Sequence, residues 1–246
     1  MPDIAIIGGT GLTSLHSLHI LYEEIIETPF GAPSSPIRVG KFADQEILFL
    51  ARHGDQHNIP PHKVNYRANL WALQQLGVTN IIAMAAVGGI TDAFAPKVIA
   101  IPDQIIDYSY GRQHTFYEDG LDEVTHIDFS FPYCEELRTK LIKAADLAQL
   151  SVITKATYGA TQGPRLESAA EIRRMERDGC DIVGMTGMPE AALAKELDIC
   201  YASCALVANW AAGKGGDGII TIDEIHQNVQ DGLGRVYGLL TKLLQS

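Results

Sequence analysis

The chain has 246 residues, of which 46% are hydrophobic and 20% charged, and its formal net charge at pH 7 is −11. This composition is ordinary for a soluble globular protein, and the length allows a sizeable buried core. The negative charge argues against nucleic acid or an anionic membrane as partner, because both require an extended basic surface. Neither a membrane-spanning run nor a signal peptide is evident in the sequence. We therefore expect a soluble, cytoplasmic protein.

The cysteines and histidines give little indication of a metal. The four cysteines have no CxxC pair and no zinc-binding spacing, so free thiols are expected for all of them, as is usual in the cytoplasm. His53 and His57 are four residues apart, but Gly54 between them and the prolines that follow argue against a helix that would aim both at one ion. We predict no metal site and no organic cofactor.

Strand-like and helix-like segments alternate along the chain. Apolar, β-branched runs predict strands at 4–7, 20–27, 37–50 with a turn at 43–44, 79–86, 98–106, 152–160, 181–184 and 199–207. Apolar periodicity and capping residues predict helices at 65–76, 133–150, 168–177, 189–197 and 222–244. Residues 108–132 are expected to form a long loop, and loops of that length are usually functional or disordered. The alternation predicts an α/β fold with a mixed sheet, in a single domain of residues 1–246.

The first predicted strand leads into a glycine-rich loop, Gly8-Gly9-Thr10-Gly11. A dinucleotide-binding fingerprint requires glycine or alanine at the position of Ser14. The loop is therefore the only support in the sequence for a nicotinamide-dependent oxidoreductase. A phosphate-binding turn that uses backbone N–H groups and the Thr10 hydroxyl remains open. A tight turn that binds nothing remains open as well.

Several other strand ends carry groups that suit an anion. Arg52 and His53 can supply donors to an oxyanion, and the backbone N–H of Ala86 lies in a stretch of small residues that a ligand can approach. Thr186 offers a hydroxyl at a strand–helix junction, whereas Glu190 in the following first helical turn suits a helix-dipole partner. Each of these residues also has a purely structural interpretation as a packed or solvated side chain.

Two more polar residues lie at strand ends, where ligands bind in open α/β sheets. Glu167 follows the turn at Gly163 and Pro164, and Asn209 ends the strand predicted at 199–207. A side-chain amide both donates and accepts one hydrogen bond, which matches the edge of a purine. A solvated charge and a turn-forming asparagine are the alternatives.

Together these segments resemble the trimeric nucleoside phosphorylases, the family that includes purine nucleoside phosphorylase and 5′-methylthioadenosine phosphorylase. The resemblance covers essentially the whole chain. The matching segments are 6–12, 50–54, 63–66, 163–165, 185–186, 189–190, 193–196 and 200–202. The resemblance implies a partly barrel-like central sheet flanked by helices, a homotrimer, a purine nucleoside as substrate and inorganic phosphate as co-substrate.

The resemblance also implies a role for individual residues. The purine would be held between Glu167 and Asn209, Met185 would lie along the ribose, and His126 would be lent to the site of a neighbouring subunit. The residues implied in phosphate binding are Thr10, Arg52, His53, the Ala86 backbone and Thr186.

Departures from the family pattern predict the substrate. Glu167 stands where methylthioadenosine enzymes carry serine, and Asn209 where they carry aspartate; both match enzymes that cleave 6-oxopurines. An ionised carboxylate accepts the N1 proton of hypoxanthine, whereas adenine presents a lone pair at N1. Ile222 and Ile225 favour a 5′-thioether, although His226 beside them is polar and a buried core face would show the same spacing.

Leu166 is a further departure, since phenylalanine commonly contacts the purine at that position. We therefore predict phosphorolysis of S-methyl-5′-thioinosine to hypoxanthine and 5-methylthioribose 1-phosphate. Methylthioadenosine, inosine and guanosine are the alternative substrates. A non-catalytic nucleoside-binding protein is the alternative outside enzymes, and its binding would not depend on phosphate.

Overall fold

A computed structural model describes residues 2–12, 18–216 and 219–245 of the chain. Its strands are β1 (Ile4–Gly8), β2 (His19–Glu24), β3 (Ile37–Phe42), β4 (Gln45–Ala51), β5 (Asn80–Gly89), β6 (Ile99–Ala100), β7 (Gln104–Asp107), β8 (Val152–Ile153), β9 (Thr157–Ala160), β10 (Ile182–Gly184) and β11 (Cys200–Trp210). Its α-helices are α1 (Tyr66–Gln75), α2 (Glu135–Leu147), α3 (Ala169–Arg177), α4 (Gly187–Glu196) and α5 (Ile222–Leu244). Ser14 lies outside the described residues.

All of these strands belong to one mixed sheet. Its main path runs β2-β3-β4-β1-β5-β10-β9-β7, and β11 pairs in parallel with β5 along almost its whole length. β6 and β8 extend the sheet from β11. The mixed sheet predicted from the sequence is confirmed, and it is not closed into a barrel.

Apolar side chains of the strands point to both faces of the sheet, and helices pack against both faces. Ala5 and Ile7 of β1 pack in a core cluster with residues of α1 and α4. Ile6, between them in sequence, packs in a second cluster with residues of α2 and α5. Because successive residues of a strand point to opposite faces, this short run alone specifies a sheet covered on both sides.

Local sequence signals fix the helix ends. Asn65 caps α1 by accepting a hydrogen bond from the Ala68 amide, and Ser168 forms a capping box with Glu171 at the start of α3. Thr221 accepts from the Glu224 amide at the start of α5. The predicted helices are therefore present, with ends that differ from the expected ones by up to three residues.

Two predicted long strands are each divided in two. The segment predicted at 98–106 forms β6 and β7, and that at 152–160 forms β8 and β9. Pro102 lies in the first gap and cannot donate to a ladder. The buried Arg138 donates to the carbonyls of Pro102 and of Thr154, which lies in the second gap. Backbone groups that would continue the sheet are thus satisfied by a side chain.

The expectation of four free cysteines is wrong for one pair. Cys134, just before α2, and Cys200, at the start of β11, form a disulfide. Cys180 and Cys204 are free and buried. No local pattern indicates the pairing, because the two residues are 66 positions apart and meet only when α2 packs against β11.

Candidate active site

The ends of several strands surround one cavity of about 560 Å³. This volume is within the range of small-molecule sites. The residues predicted to form the site line it, with the exception of His126: they are Thr10, Arg52, His53, Ala86, Leu166, Glu167, Met185, Thr186, Asn209, Ile222, Ile225 and His226. His126 is exposed in the long loop between β7 and α2 and does not line the cavity of its own chain. The roles of these residues stay predictions.

The glycine loop after β1 lies directly against the cationic end of the cavity. A Cβ atom on Gly9 would be 2.6 Å from the Met84 carbonyl oxygen and 3.1 Å from Nη1 of Arg52. Only glycine fits there, because real Cβ atoms do not come so close to a backbone oxygen. The tight turn therefore serves to bring Thr10 and the Arg52 guanidinium to the same place.

Arg52 is held by a buried carboxylate that sequence reasoning misjudged. Glu190 is 0% exposed, Arg52 is 1% exposed, and both hydrogen bonds of their two-point ion pair measure 2.7 Å. Tyr201 donates a further bond of 2.8 Å to the same carboxylate. Burial opposes the charge of Arg52, but the attraction of Glu190 outweighs it and raises the pKa of Arg52 above its ordinary value. Glu190 is thus far more than a helix-dipole partner.

This pairing limits what Arg52 can offer an anion. Two of the five N–H donors of a guanidinium are used on Glu190, and a third is donated from Nη1 to the Met84 carbonyl at 2.8 Å. One N–H on each of Nη1 and Nη2 is left. The guanidinium edge formed by Nε and Nη2 therefore faces Glu190, and an anion would meet the remaining N–H groups.

His53 is neutral near pH 7, with its proton on Nδ1. Burial and then the positive charge of Arg52 lower the pKa of His53 to about 4. Nδ1 lies 2.8 Å from the carbonyl oxygen of Ile59, which can only accept, so Nδ1 carries the hydrogen. Nε2 is left as an acceptor. His53 is therefore suited to the protonated oxygen of hydrogen phosphate rather than to a bare oxyanion.

The purine-binding candidates Glu167 and Asn209 also line the cavity. The Thr161 hydroxyl donates to Oε1 of Glu167 at 2.6 Å, so Oε2 remains available as an acceptor. Nδ2 of Asn209 donates to the Trp210 carbonyl at 2.6 Å, which leaves Oδ1 and a second N–H. β11 has a register shift between Val207 and Asn209, and such a bulge changes which way the following side chains point.

Arg112, in the long loop, joins the walls of the cavity and was not singled out from the sequence. Its guanidinium donates to the Thr161 carbonyl at 3.0 Å, to the Gln162 carbonyl at 2.8 Å and to the Met185 carbonyl at 2.8 Å. It also lies over the ring of Tyr66, 5.6 Å from the centroid. The length and polar content of the loop were the only sequence signals of such a role.

The apolar end of the cavity contains more residues than the resemblance implied. Ile222 is 59% exposed, an unusual degree for an isoleucine, and it lines the cavity with Ile225. Ile220 and His57 also line it, beside His226. Burial and then the neighbouring His226 lower the pKa of His57. Among the described residues, no His, Cys, Asp or Glu side chains form a group of three or more that could hold a metal ion.

This fold brings the residues predicted to bind phosphate and purine together around one cavity. Residues 3–245 match the model of the phosphorylase superfamily. The chain belongs to this superfamily, and the family, fold and enzyme class predicted from the sequence are confirmed. The dinucleotide interpretation of the glycine loop is thereby replaced.

The proteins similar to this chain are named after different substrates. A probable S-methyl-5′-thioinosine phosphorylase of Pseudomonas syringae is 54% identical over 246 residues and is covered in full, as is this chain. A 6-oxopurine nucleoside phosphorylase of Pyrococcus furiosus is 49% identical over 88% of this chain and 82% of its own. A methylthioadenosine phosphorylase of Schistosoma mansoni, solved with adenine, superposes with a TM-score of 0.94 at 30% identity and covers 100% of this chain and 91% of its own.

Proposed function

We propose that the protein is a phosphate-dependent nucleoside phosphorylase that cleaves S-methyl-5′-thioinosine. The products would be hypoxanthine and 5-methylthioribose 1-phosphate. The observation that carries the proposal is Glu167, a carboxylate at the purine end whose Oε1 is held by a hydroxyl and whose Oε2 is left as an acceptor. The names of the relatives from Pseudomonas syringae and Pyrococcus furiosus support a 6-oxopurine as the base.

At the purine end, the discrimination follows from hydrogen-bond polarity. Hypoxanthine has a proton on N1, which the Glu167 carboxylate accepts in a charge-assisted bond. Adenine has a lone pair there, so two acceptors would face each other, and an unpaired buried polar group costs about 1–3 kcal/mol. Asn209 donates its second N–H to O6 as negative charge collects on the purine, and its Oδ1 accepts from N7–H once the departing purine anion has taken a proton from water at N7.

At the phosphate end, the chain supplies cation, donors and one acceptor. A phosphate oxygen forms a bond to C1′ as the C1′–N9 bond breaks, and the electron pair of that bond passes to the purine. Arg52 donates its two remaining N–H groups to the phosphate, and His53 accepts the phosphate hydroxyl proton in a hydrogen bond at Nε2. The hydroxyls of Thr10 and Thr186 complete the contacts, and the phosphate charge stabilises the ribosyl cation that develops in the transition state. The proposal needs no metal or organic cofactor.

The part of the cavity proposed to hold the 5′ substituent of the nucleoside is lined by both apolar and polar side chains. Ile220, Ile222 and Ile225 suit a methylthio group, because burying them against it removes apolar surface from water. His57 and His226 would instead suit a 5′-hydroxyl. This pair is the observation that keeps a 6-oxopurine nucleoside phosphorylase acting on inosine or guanosine as the second candidate.

Homotrimer formation and a cytoplasmic location belong to the proposal. In support of a trimer, the long loop exposes several large apolar side chains, namely Tyr110, Tyr117, Leu121, Val124 and Phe131. A neighbouring subunit that covers this loop would bring His126 to the 5′ end of a site. No described helix is long and apolar enough to cross a membrane.

A panel of nucleosides assayed with and without phosphate tests the proposal. Methylthioinosine should give the highest kcat/KM, and turnover should require phosphate. Faster turnover of methylthioadenosine would refute the role of Glu167, and faster turnover of inosine would refute the apolar 5′ end. Binding without phosphate-dependent turnover would indicate a nucleoside-binding protein. Glu167→Ser should shift the preference toward 6-aminopurines.

A further inference from the structure

Glu167 stands between two cavities. Besides the main cavity it lines a second one of about 360 Å³. Two of the residues around this second cavity are cationic, Arg165 and Arg174. A half-buried glutamate has enough rotatable bonds to turn its carboxylate either way, and the second cavity places these two arginines, with Asp107 and Glu171 beside them, within its surroundings. The base specificity of the enzyme therefore depends on what aims this carboxylate.

Thr161 is the residue placed to do so. Its side chain is buried, and its hydroxyl donates to Oε1 of Glu167 at 2.6 Å, a distance typical of strong O–H···O⁻ bonds. Within the described part of the chain, the other acceptor near the hydroxyl is the Gly184 carbonyl, at 3.3 Å. Because a hydroxyl has one hydrogen to give, the shorter contact to Glu167 is the one that it satisfies.

The backbone of Thr161 is itself fixed on both sides. Its amide donates to the Gly184 carbonyl at 2.8 Å, and its carbonyl accepts from Arg112 at 3.0 Å. Arg165, which lines the second cavity together with Thr161, is engaged with Glu171 through bonds of 2.9 and 2.8 Å. The carboxylate of Glu167 is thus drawn to Thr161 by a rigid donor, while its competitor is occupied.

We propose that Thr161 is a specificity-positioning residue, whose hydroxyl keeps the Glu167 carboxylate aimed at N1 of a 6-oxopurine. This inference rests on the proposed function. Without the hydroxyl, Oε1 loses its donor and the carboxylate is free to rotate away from N1. A 6-oxopurine nucleoside then loses its bond to Glu167, whereas a 6-aminopurine nucleoside, which gains nothing from that carboxylate, loses little.

The test is a double-mutant cycle between Thr161 and Glu167. Thr161→Val keeps the shape of the side chain without the hydroxyl, and Thr161→Ser keeps the hydroxyl. Each is made in the wild type and in a Glu167→Gln background, and kcat/KM is measured for methylthioinosine and methylthioadenosine. Loss of a hydrogen bond to a charged group should lower kcat/KM for methylthioinosine about 10- to 100-fold in Thr161→Val. Thr161→Ser should stay within about threefold of the wild type, and the KM for phosphate should not change.

Two results would overturn the inference. One is an equal loss for both nucleosides, and the other is the same loss from Thr161→Val in the Glu167→Gln background; either means that Thr161 acts through packing. Should Thr161→Val not fold, Thr161→Ala replaces it in the same cycle. If the wild type prefers inosine to methylthioinosine, the proposed function is wrong about the 5′ substituent of the substrate. The same cycle measured with inosine and adenosine then still tests the role of Thr161.

Discussion

Replacing Glu190 with glutamine changes the shape of the side chain very little, but it should destabilise the protein strongly. In the folded protein the Arg52 guanidinium has the Glu190 carboxylate as its counter-charge, and both side chains are almost fully removed from water. Glutamine can still accept one bond from Arg52 at the position that Tyr201 also contacts. Its amide nitrogen, however, would face Nε of Arg52, donor against donor.

The expected loss in the free energy of unfolding is about 3–5 kcal/mol, the cost of leaving one charge of a buried ion pair without its partner. A matched control is Glu136→Gln, which removes the carboxylate of an exposed pair with Lys140, where the side chains are 74% and 52% exposed. Solvent screens exposed pairs four residues apart on a helix so that they contribute little, and this variant should be nearly unchanged. The difference between the two variants in the free energy of unfolding measures the effect of burying the ion pair.

Equilibrium unfolding in urea, followed by far-ultraviolet circular dichroism, measures both losses. Repeating it in phosphate adds a link to function, because an anion bound at Arg52 should offset part of the loss in Glu190→Gln. A loss below about 1 kcal/mol in Glu190→Gln would refute the reasoning, since the buried guanidinium would then not depend on its counter-charge.

Three further outcomes are expected. Arg112→Lys should raise the KM for the nucleoside about tenfold with a smaller change in kcat, because an ammonium cannot bridge the same carbonyls as a planar guanidinium; an unchanged KM would contradict this. His53 has a lowered pKa of about 4 and is neutral in the folded state, so its contribution to stability is present above the unfolded value of about 6.5 and is lost as the pH falls toward 4. The stability difference between the wild type and His53→Gln should therefore shrink by roughly 3 kcal/mol from pH 7.5 to pH 4, and a constant difference in urea unfolding would argue against it. Gly163→Ala should both destabilise the protein by about 1–2 kcal/mol and raise the KM for the nucleoside, because φ is +59° and the new Cβ would displace a cavity-lining methionine side chain. The control, Gly77→Ala, has φ of +82° but open space, so it should lose stability alone; kinetic loss in both variants would point to a general effect.

The sequence determined the order and type of nearly all elements, because the signals for them are local. Three helices are each capped by a residue that accepts a hydrogen bond from the amide three positions further on: Asn65, Ser168 and Thr221. The continuous apolar run at 4–7 sufficed to predict a buried strand, and in the sheet both faces of that strand are covered. The matched segments then identified the family, and with it the set of residues that meets around the cavity.

The tertiary structure decided how those residues are used. Arg52 and Glu190 are 138 positions apart, so no local pattern could show that the carboxylate occupies one edge of the guanidinium. The tautomer of His53 depends on a carbonyl brought near it by the fold, and the Cys134–Cys200 disulfide depends on how α2 meets β11. Hydrogen bonds and burial depend on distances in space, and only the packed sheet sets those distances.

Glu167 shows the division most clearly. Its presence in the sequence was enough to predict a partner for a purine with a proton on N1. The sequence could not show that Glu167 lies between two cavities, or that a threonine six positions earlier holds one of its oxygens. A residue type sets which hydrogen bonds are possible, whereas the fold sets which of them are made.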